Sequence, residues 1–407
     1  MSAPLRSTVL IATLALLAAA CGAAPDEGAD EATATDPTAT ADPTEPEAEV
    51  TDDVAADDEP PPWPWELAED GADVPAAVPL SDIRPGGPPP DGIPPIDDPV
   101  FEPVAAAGEW LEAQDPVLVV DIDGDARAYP LAILTYHEIV NDVVAGEPLL
   151  VTYCPLCNSG LVFDPTVDGQ VLDFGTSGRL WQSNLVMYDR ATRSLWSQFT
   201  GEAIVGERVG DELARLPMQI VSWDEYRTSW PDGQSLSQDT GHSRPYGDNP
   251  YTGYDTASSP FLFDEETGGP LPQMERVVAT GGDEDPVAYT WEALTEQRVI
   301  HDAIAGEPAV VFWAPGTASA LDERDISESR DIGATGVFRT RVDDDELTFE
   351  PEGDDRFRDV ETGSTWNVLG RAIDGPLEGH ELERFNHDDT FWFVQFAFRP
   401  ETRVVES

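Results

Sequence analysis

Short apolar runs separated by Gly, Asp, Asn and Pro recur from Val117 almost to the C-terminus, a pattern of brief strands rather than long helices. Val117 to Ile122 and Asp125 to Tyr129 read as two strands joined at Asp123-Gly124, a hairpin dipeptide. Pro130 suits the first position of a helix, and the spacing predicts one reaching about Val144, with Ile133, His137, Val140 and Val144 on one face and Ala145-Gly146 as the stop. Leu149 to Tyr153 is then a short buried strand that ends in Cys154-Pro155-Leu156-Cys157. Leu161 to Phe163, Val171 to Phe174, Leu185 to Tyr188 and Leu195 to Phe199 follow as further strands. The expected class is α+β, β-rich, as two tandem, pseudo-symmetric repeats packed as one body with one main helix in each.

The repeat is legible directly. Tyr129-Pro-Leu-Ala-Ile-Leu-Thr and Val140-Asn-Asp-Val-Val-Ala-Gly-Glu-Pro recur as Tyr289-Thr-Trp-Glu-Ala-Leu-Thr and Ile300-His-Asp-Ala-Ile-Ala-Gly-Glu-Pro, at a constant 160-residue shift. Phe174-Gly-Thr-Ser-Gly is matched to Ile332-Gly-Ala-Thr-Gly, and Asp189-Arg-Ala-Thr-Arg-Ser-Leu-Trp to Asp359-Val-Glu-Thr-Gly-Ser-Thr-Trp. On this register Cys154 and Cys157 fall opposite Ala314 and Thr317, and Tyr136-His137-Glu138 opposite Glu296-Gln297-Arg298. A copy that folds without thiols implies that the cysteines serve chemistry.

Outside the repeats, residues 1–21 read as a lipoprotein signal peptide, with an apolar core too short to span a membrane and Leu17-Ala-Ala-Ala-Cys21 as a lipobox-like end. Cys21 is the expected lipidation site, anchoring the chain to the extracytoplasmic face of the cell membrane. Residues 22–62, rich in Ala, Thr, Pro and acidic side chains, form an expected disordered tether, and 63–114 a proline-rich lead-in. Repeat 1 is placed at 115–235, an ordered connecting loop at 236–283 and repeat 2 at 284–407. The 80 acidic residues against 22 basic ones argue against nucleic acid as a partner. All the basic residues are arginine, which excludes Schiff-base chemistry and the P-loop lysine.

The chemistry centres on Cys154 and Cys157. Two-residue spacing suits a redox dithiol, in which one thiolate attacks and the other resolves the mixed disulfide. It equally suits half of a copper or zinc site, with His137, His242 and Met187 as further ligands. A structural disulfide in so small a loop contributes only about 2 kcal/mol of loop entropy, and in that reading the chain is a non-catalytic ligand-binding protein whose cysteines only shape the pocket. His137 is the candidate third member of either a catalytic or a metal set, and Arg179 a candidate thiolate stabiliser. In the connecting loop His242, Arg244, Tyr246 and Asn249 are candidate substrate-binding residues. Asn158-Ser159-Gly160 and Asp164-Pro165 predict a turn and another strand after the motif, so the thioredoxin arrangement with a helix behind the thiols is not expected. Serine hydrolysis lacks its Gly-x-Ser-x-Gly context. His301, His380 and His387 show no visible partners, and His387 is read as structural.

Taken together, Tyr129-Pro-Leu-x-Ile-Leu-x-x-His-Glu-Ile-Val-Asn-Asp, Val151-Thr-Tyr-Cys-Pro-Leu-Cys-Asn-Ser, Leu185-Val-Met-Tyr-Asp-Arg and Gly241-His-x-Arg-x-Tyr-Gly-x-Asn-Pro-Tyr-x-Gly-Tyr resemble the bacterial family known as domain of unknown function 3179. The resemblance spans about Asp115 to Thr402. It implies an exported or lipid-anchored protein carrying a Cys-Pro-x-Cys motif, here Cys154 and Cys157, and it supplies no activity.

Overall fold

The strand pair at Pro116–Ile122 and Asp125–Pro130 begins the folded frame, in antiparallel register with Val119 opposite Ala128. Asp123 (φ 52°) and Gly124 (φ 85°) turn it through two left-handed residues, the geometry that matches strand twist in a tight hairpin. The computed structural model describes residues 60–263 and 269–406, so the predicted signal peptide, Cys21 and the tether up to residue 59 lie outside the described residues. The described residues contain 29 strands and six short α-helices, which makes the protein β-rich α+β.

The helix after Pro130 is shorter than its pattern predicts. It covers Leu131–His137 and stops at Glu138, whose left-handed φ of 59° still lets its N–H bond the Leu134 carbonyl. Ile139–Val144 is a strand, paired with Glu147–Cys154 through a left-handed Ala145 (φ 51°) and Gly146 (φ 91°). Ile139-Val140 and Val143-Val144 are β-branched and prefer extended backbone, and Ala-Gly followed by an apolar run makes a hairpin turn, not a helix stop. The expected helical face of Ile133, His137, Val140 and Val144 therefore does not exist. Glu147–Cys154 pairs next with Ser159–Asp164, and the four residues between them carry the second cysteine.

Further along, Arg276–Thr280 pairs with Val287–Thr290, Trp291–Gln297 is a helix closed by a left-handed Arg298 (φ 64°), and Val299–Ile304 pairs with Glu307–Ala314 through Ala305 and Gly306. Ala334–Arg339 is the next neighbour of Glu307–Ala314, the place that Ser159–Asp164 holds beside Glu147–Cys154. This corrects one expected match. Phe174 begins a strand paired with Asn184–Asp189, so its positional counterpart is Phe349, which pairs opposite Asp359 as Phe174 does opposite Asp189.

Two sheets share one plan. In the first, Gln219–Ser222, Pro116–Ile122, Asp125–Pro130, Gln234–Leu236 and Phe101–Pro103 lie side by side; in the second, His387–Phe391, Arg276–Thr280, Val287–Thr290 and Arg403–Val405 do. In both, a helix of seven residues, Trp223–Ser229 or Trp392–Phe398, carries the chain over to a parallel strand. Residues 59–407 cluster as one compact unit. Within it Gln219 donates to the Thr335 carbonyl at 2.6 Å, and Ser159 donates to the Asp388 carboxylate at 2.6 Å. The lead-in packs on the body: Ile83–Pro85 adds to the Phe174–Trp181 strand, and Trp63 and Trp65 stack 4.6 Å apart under the guanidiniums of Arg193 and Arg179. The connecting segment has one short 3-10 turn, Tyr254–Thr256, and is tied down where the Asn249 amide donates to the Glu323 carbonyl at 3.0 Å.

Two buried aspartates hold equivalent turns. Asp189 accepts from the Thr192 N–H and hydroxyl and from Trp196 Nε1, and Asp359 does the same with Thr362 and Trp366. Removing either carboxylate orphans an indole N–H and a turn in the interior. Asp189→Ala and Asp359→Ala should each lose about 2–4 kcal/mol of unfolding free energy in urea titrations; a loss below about 0.5 kcal/mol at either site would show that the turn does not need its carboxylate.

Candidate functional site

Four residues, Pro155 to Asn158, connect paired strands; Cys154 ends the strand before that connection and Cys157 stands on it. The Cys157 N–H bonds the Cys154 carbonyl at 3.1 Å, and Asn158 takes a left-handed φ of 52° to close the turn. This is the turn and strand expected from sequence. The sulfurs are unbonded and 3.3 Å apart, and the Cys157 thiol also meets the Ser183 carbonyl at 3.6 Å and the Asn184 amide at 3.4 Å. Asn184 is itself fixed, donating to Gln198 and accepting from the Phe199 N–H. Cys157 is fully enclosed and Cys154 is 2 % exposed. Burial, with the neighbouring Cys154 sulfur, pushes the Cys157 thiol well above its ordinary range.

The back of the turn is gripped by the distant His387–Phe391 strand. The Cys157 carbonyl accepts from the Phe391 N–H at 3.0 Å and the Thr390 hydroxyl at 2.9 Å, while the Asn158 amide donates to the Asp389 carbonyl at 2.8 Å. Tyr153 donates to Asn158 Oδ1 at 3.2 Å from the other side.

In front lies a cavity of about 350 Å³. Its apolar wall includes Leu156, from between the cysteines, together with Ile93, Leu185, Tyr251, Tyr254 and Phe261. The Tyr254 hydroxyl donates to the Leu156 carbonyl at 3.1 Å, which fixes that wall to the cysteine turn. A carboxyl and a guanidinium also line it, those of Glu138 and Arg179. The Glu138 carbonyl accepts from the Tyr153 N–H at 2.8 Å, so this residue is joined to the strand that carries Cys154. Its carboxyl is buried without a hydrogen-bond partner among the described residues, and burial pushes its pKa to about 8. Glu138 was not singled out from sequence; its left-handed position after a helix and its burial are set by tertiary structure. The only available signal was that the matching position holds Arg298.

His137 goes elsewhere. Its Nδ1–H donates to the Pro94 carbonyl at 2.7 Å and its Nε2 accepts from the Tyr246 hydroxyl at 2.6 Å. Both ring nitrogens are thus engaged away from the thiols. Burial first, and then the charges of His242 and Arg244, pull its pKa to about 4, so the ring is neutral. The His242 ring lies 5.5 Å from that of His137. His242 and Arg244 are exposed, Tyr246 bonds His137 and Thr240, and Asn249 is buried in contacts with Glu323 and Arg324. From the connecting loop it is Tyr251, Tyr254 and Phe261 that face the cavity beside the cysteines. Arg179 reaches the same cavity, its guanidinium 3.8 Å from the Trp65 ring centre. Met187 is buried in the apolar cluster that contains both cysteines. Among the described residues no three or more His, Cys, Asp or Glu side chains converge to hold a metal ion. His387 is buried with Nδ1 toward the Phe385 carbonyl, His301 accepts from the Phe349 N–H, and His380 is exposed.

Fold and site together define a β-rich α+β protein with a buried dithiol turn against an apolar, carboxyl-bearing cavity. The family model for DUF3179, a protein of unknown function, matches residues 90–402, and the chain belongs to that family. No curated protein and no solved structure matches it.

The Glu138 carboxyl gives the site a pH signature. Unfolded, it ionises near 4.3; folded, it keeps its proton to about 8. Between those values the native state binds more protons, so its stability falls as pH rises and the fall ends above pH 8. The low pKa of His137 acts only below about 6.5, where the unfolded histidine protonates. The melting temperature should therefore decline from about pH 7 to about pH 8.5, and Glu138→Gln should flatten that decline. An unchanged slope in the variant would remove Glu138 as the buried titrating group.

Proposed function

We propose that the protein is a thiol–disulfide redox protein, held at the extracytoplasmic membrane surface by a lipid on Cys21, with Cys154 and Cys157 as its reactive pair. The observation that carries this reading is a pair of unbonded thiols, their sulfurs 3.3 Å apart, on a turn joined through Tyr153 to Glu138, whose unpartnered carboxyl lines an apolar cavity with Leu156. Cys157 is the more enclosed sulfur and its proton is held tightly, so Cys154 is the attacking thiol and Cys157 the resolving one. In the proposed sequence the Cys154 thiolate attacks a substrate disulfide, forming a mixed disulfide and expelling one thiolate. Cys157 then gives up its proton and attacks Cys154, closing the Cys154–Cys157 disulfide and releasing the second thiolate. Two electrons pass to the substrate, and the two thiol protons end on its sulfurs. A carboxyl poised near pH 8 serves both to take a proton from a thiol and to return it to a leaving thiolate. The cavity fits a small disulfide with an apolar body, and Arg179 suits a carboxylate on it.

The same reading includes two pseudo-symmetric halves, only one of which kept sulfur. Support comes from the shared order of hairpin, seven-residue helix and hairpin, from the left-handed Glu138 and Arg298, and from the matching Asp189 and Asp359 turns. Where the first half has its cysteine turn, the second runs out from Ala314 to Ala334 in a loop pinned by Asp331 to the Gly316 and Thr317 N–H groups. No described helix is long and apolar enough to cross a membrane, which is compatible with an anchor at Cys21.

The test uses 5,5′-dithiobis(2-nitrobenzoate), an aromatic disulfide bearing carboxylates, on the full chain after metal analysis. With Cys21→Ser as the common background, so that Cys154 and Cys157 are the two thiols present, the parent should release two thiolates per protein and end with an internal disulfide, while Cys157→Ser should release one and stay as the mixed disulfide. Cys154→Ser and Glu138→Gln should each slow the reaction at least about tenfold. Thiols that react only after unfolding, or a Cys154→Ser rate equal to the parent's, would end the redox assignment; stoichiometric copper or zinc blocking the reaction would replace it with a metal site.

A further inference from the structure

A second cavity, about 790 Å³, lies where the first half meets the second, and no step proposed above uses it. Its lining includes Phe199, Arg215, Asp388, Gln395 and Arg399, with Arg339 among the remaining wall residues. Arg215 and Arg399 approach the same ring: their guanidinium carbons lie 5.8 Å and 5.3 Å from the Phe199 centroid. Two cations so placed repel each other, and this together with burial pulls Arg215 down to about 10.

Among the described residues the acids near that pair offset it only in part. Arg399 bonds Asp283 at 2.6 Å, but Asp283 is 80 % exposed and easily displaced by a better partner. Arg215 donates to the Phe199 carbonyl and has no carboxylate within ion-pair distance among the described residues. In a chain with 80 acidic residues against 22 arginines, a half-buried arginine left without an ion-pair partner among the described residues runs against composition. The neighbouring Asp388 is 2 % exposed, has one carboxyl oxygen bonded by Ser159 and the other without a partner, and burial pushes its pKa to about 7. It therefore cancels only part of the positive charge, and one of its oxygens is left without a partner. Arg384 also borders the cavity but donates to the Leu369 carbonyl, so it is left out of the site.

We propose that this cavity binds a small organic anion, its carboxylate or phosphate held in the forks of Arg215 and Arg399 and its body against Phe199. Planar guanidiniums bind such oxyanions in paired hydrogen bonds, and the volume exceeds what a single inorganic ion fills. Asp388 and Gln395 provide an acceptor and an amide for a hydroxyl or a protonated group on the same molecule.

The full chain should be titrated with succinate, citrate, inorganic phosphate and glycerol 3-phosphate at constant ionic strength, with chloride as compensating salt and melting temperature as the readout. At least one organic anion should raise the melting temperature saturably beyond chloride, as expected for a ligand bound only by the native state. Arg215→Gln and Arg399→Gln should each weaken that response at least about tenfold. Arg324→Gln, at an exposed pair with Asp248, should leave it unchanged, as should Cys154→Ser, which separates this site from the dithiol. The carboxylate and phosphate arms identify the anion class. No response beyond chloride, a response to inorganic phosphate alone, or undiminished responses in both arginine variants would overturn the proposal.

Discussion

The Cys157 carbonyl, shared between the Phe391 N–H and the Thr390 hydroxyl, is the contact on which the site depends. The four-residue connection has only two backbone hydrogen bonds of its own, Cys157 N–H to the Cys154 carbonyl and Asn158 N–H to the Pro155 carbonyl, to hold a chosen conformation. Here the distant His387–Phe391 strand supplies more, and Asn158 and Ser159 extend the same seam to Asp389 and Asp388. An otherwise adaptable loop thereby becomes rigid at the atoms between which two sulfurs must meet. The energetic weight is large because these groups are buried, where an unmade hydrogen bond costs the full desolvation of the polar group.

That seam also explains why so acidic a chain folds around polar interior groups. Buried carboxylates at Asp189 and Asp359 are saturated by turn N–H groups, a hydroxyl and an indole. Asp255 is shared by Arg276, Arg330 and Ser319. Other buried polar atoms stay without a partner among the described residues, Asp255 Oδ1 and Arg276 Nε and Nη1 within that same network and Asp388 Oδ1 beside the larger cavity among them.

Much of this was legible in sequence where local and global preferences agree. The Asp123-Gly124 hairpin, the buried strand delivering Cys154 and the turn after Cys157 follow from alternation and Gly or Asn signals. The misreading of residues 139–144 has a definite cause: Ile133, His137, Val140 and Val144 have helical spacing, while the β-branched pairs and Ala145-Gly146 favour a hairpin, and the sheet decided. That error placed His137 beside the thiols, whereas it closes on Pro94 and Tyr246. Glu138 was hidden because a glutamate beside a histidine reads as a solvated side chain; nothing local reveals its enclosure. The pairing of Arg215 with Arg399 was equally hidden, since it exists only where distant parts of the chain converge.

The left-handed junction that ends the Leu131–His137 helix carries a glutamate and the one that ends Trp291–Gln297 an arginine, on the same two backbone hydrogen bonds. Because those bonds use only main-chain atoms, the conformation makes no demand on the charge of the side chain that leaves it. The junction therefore works as a mounting point whose cargo is exchangeable: opposite electrical characters have been fitted to one backbone path. Reactivity in this architecture can thus be rewritten one residue at a time while the scaffold that aims it stays still.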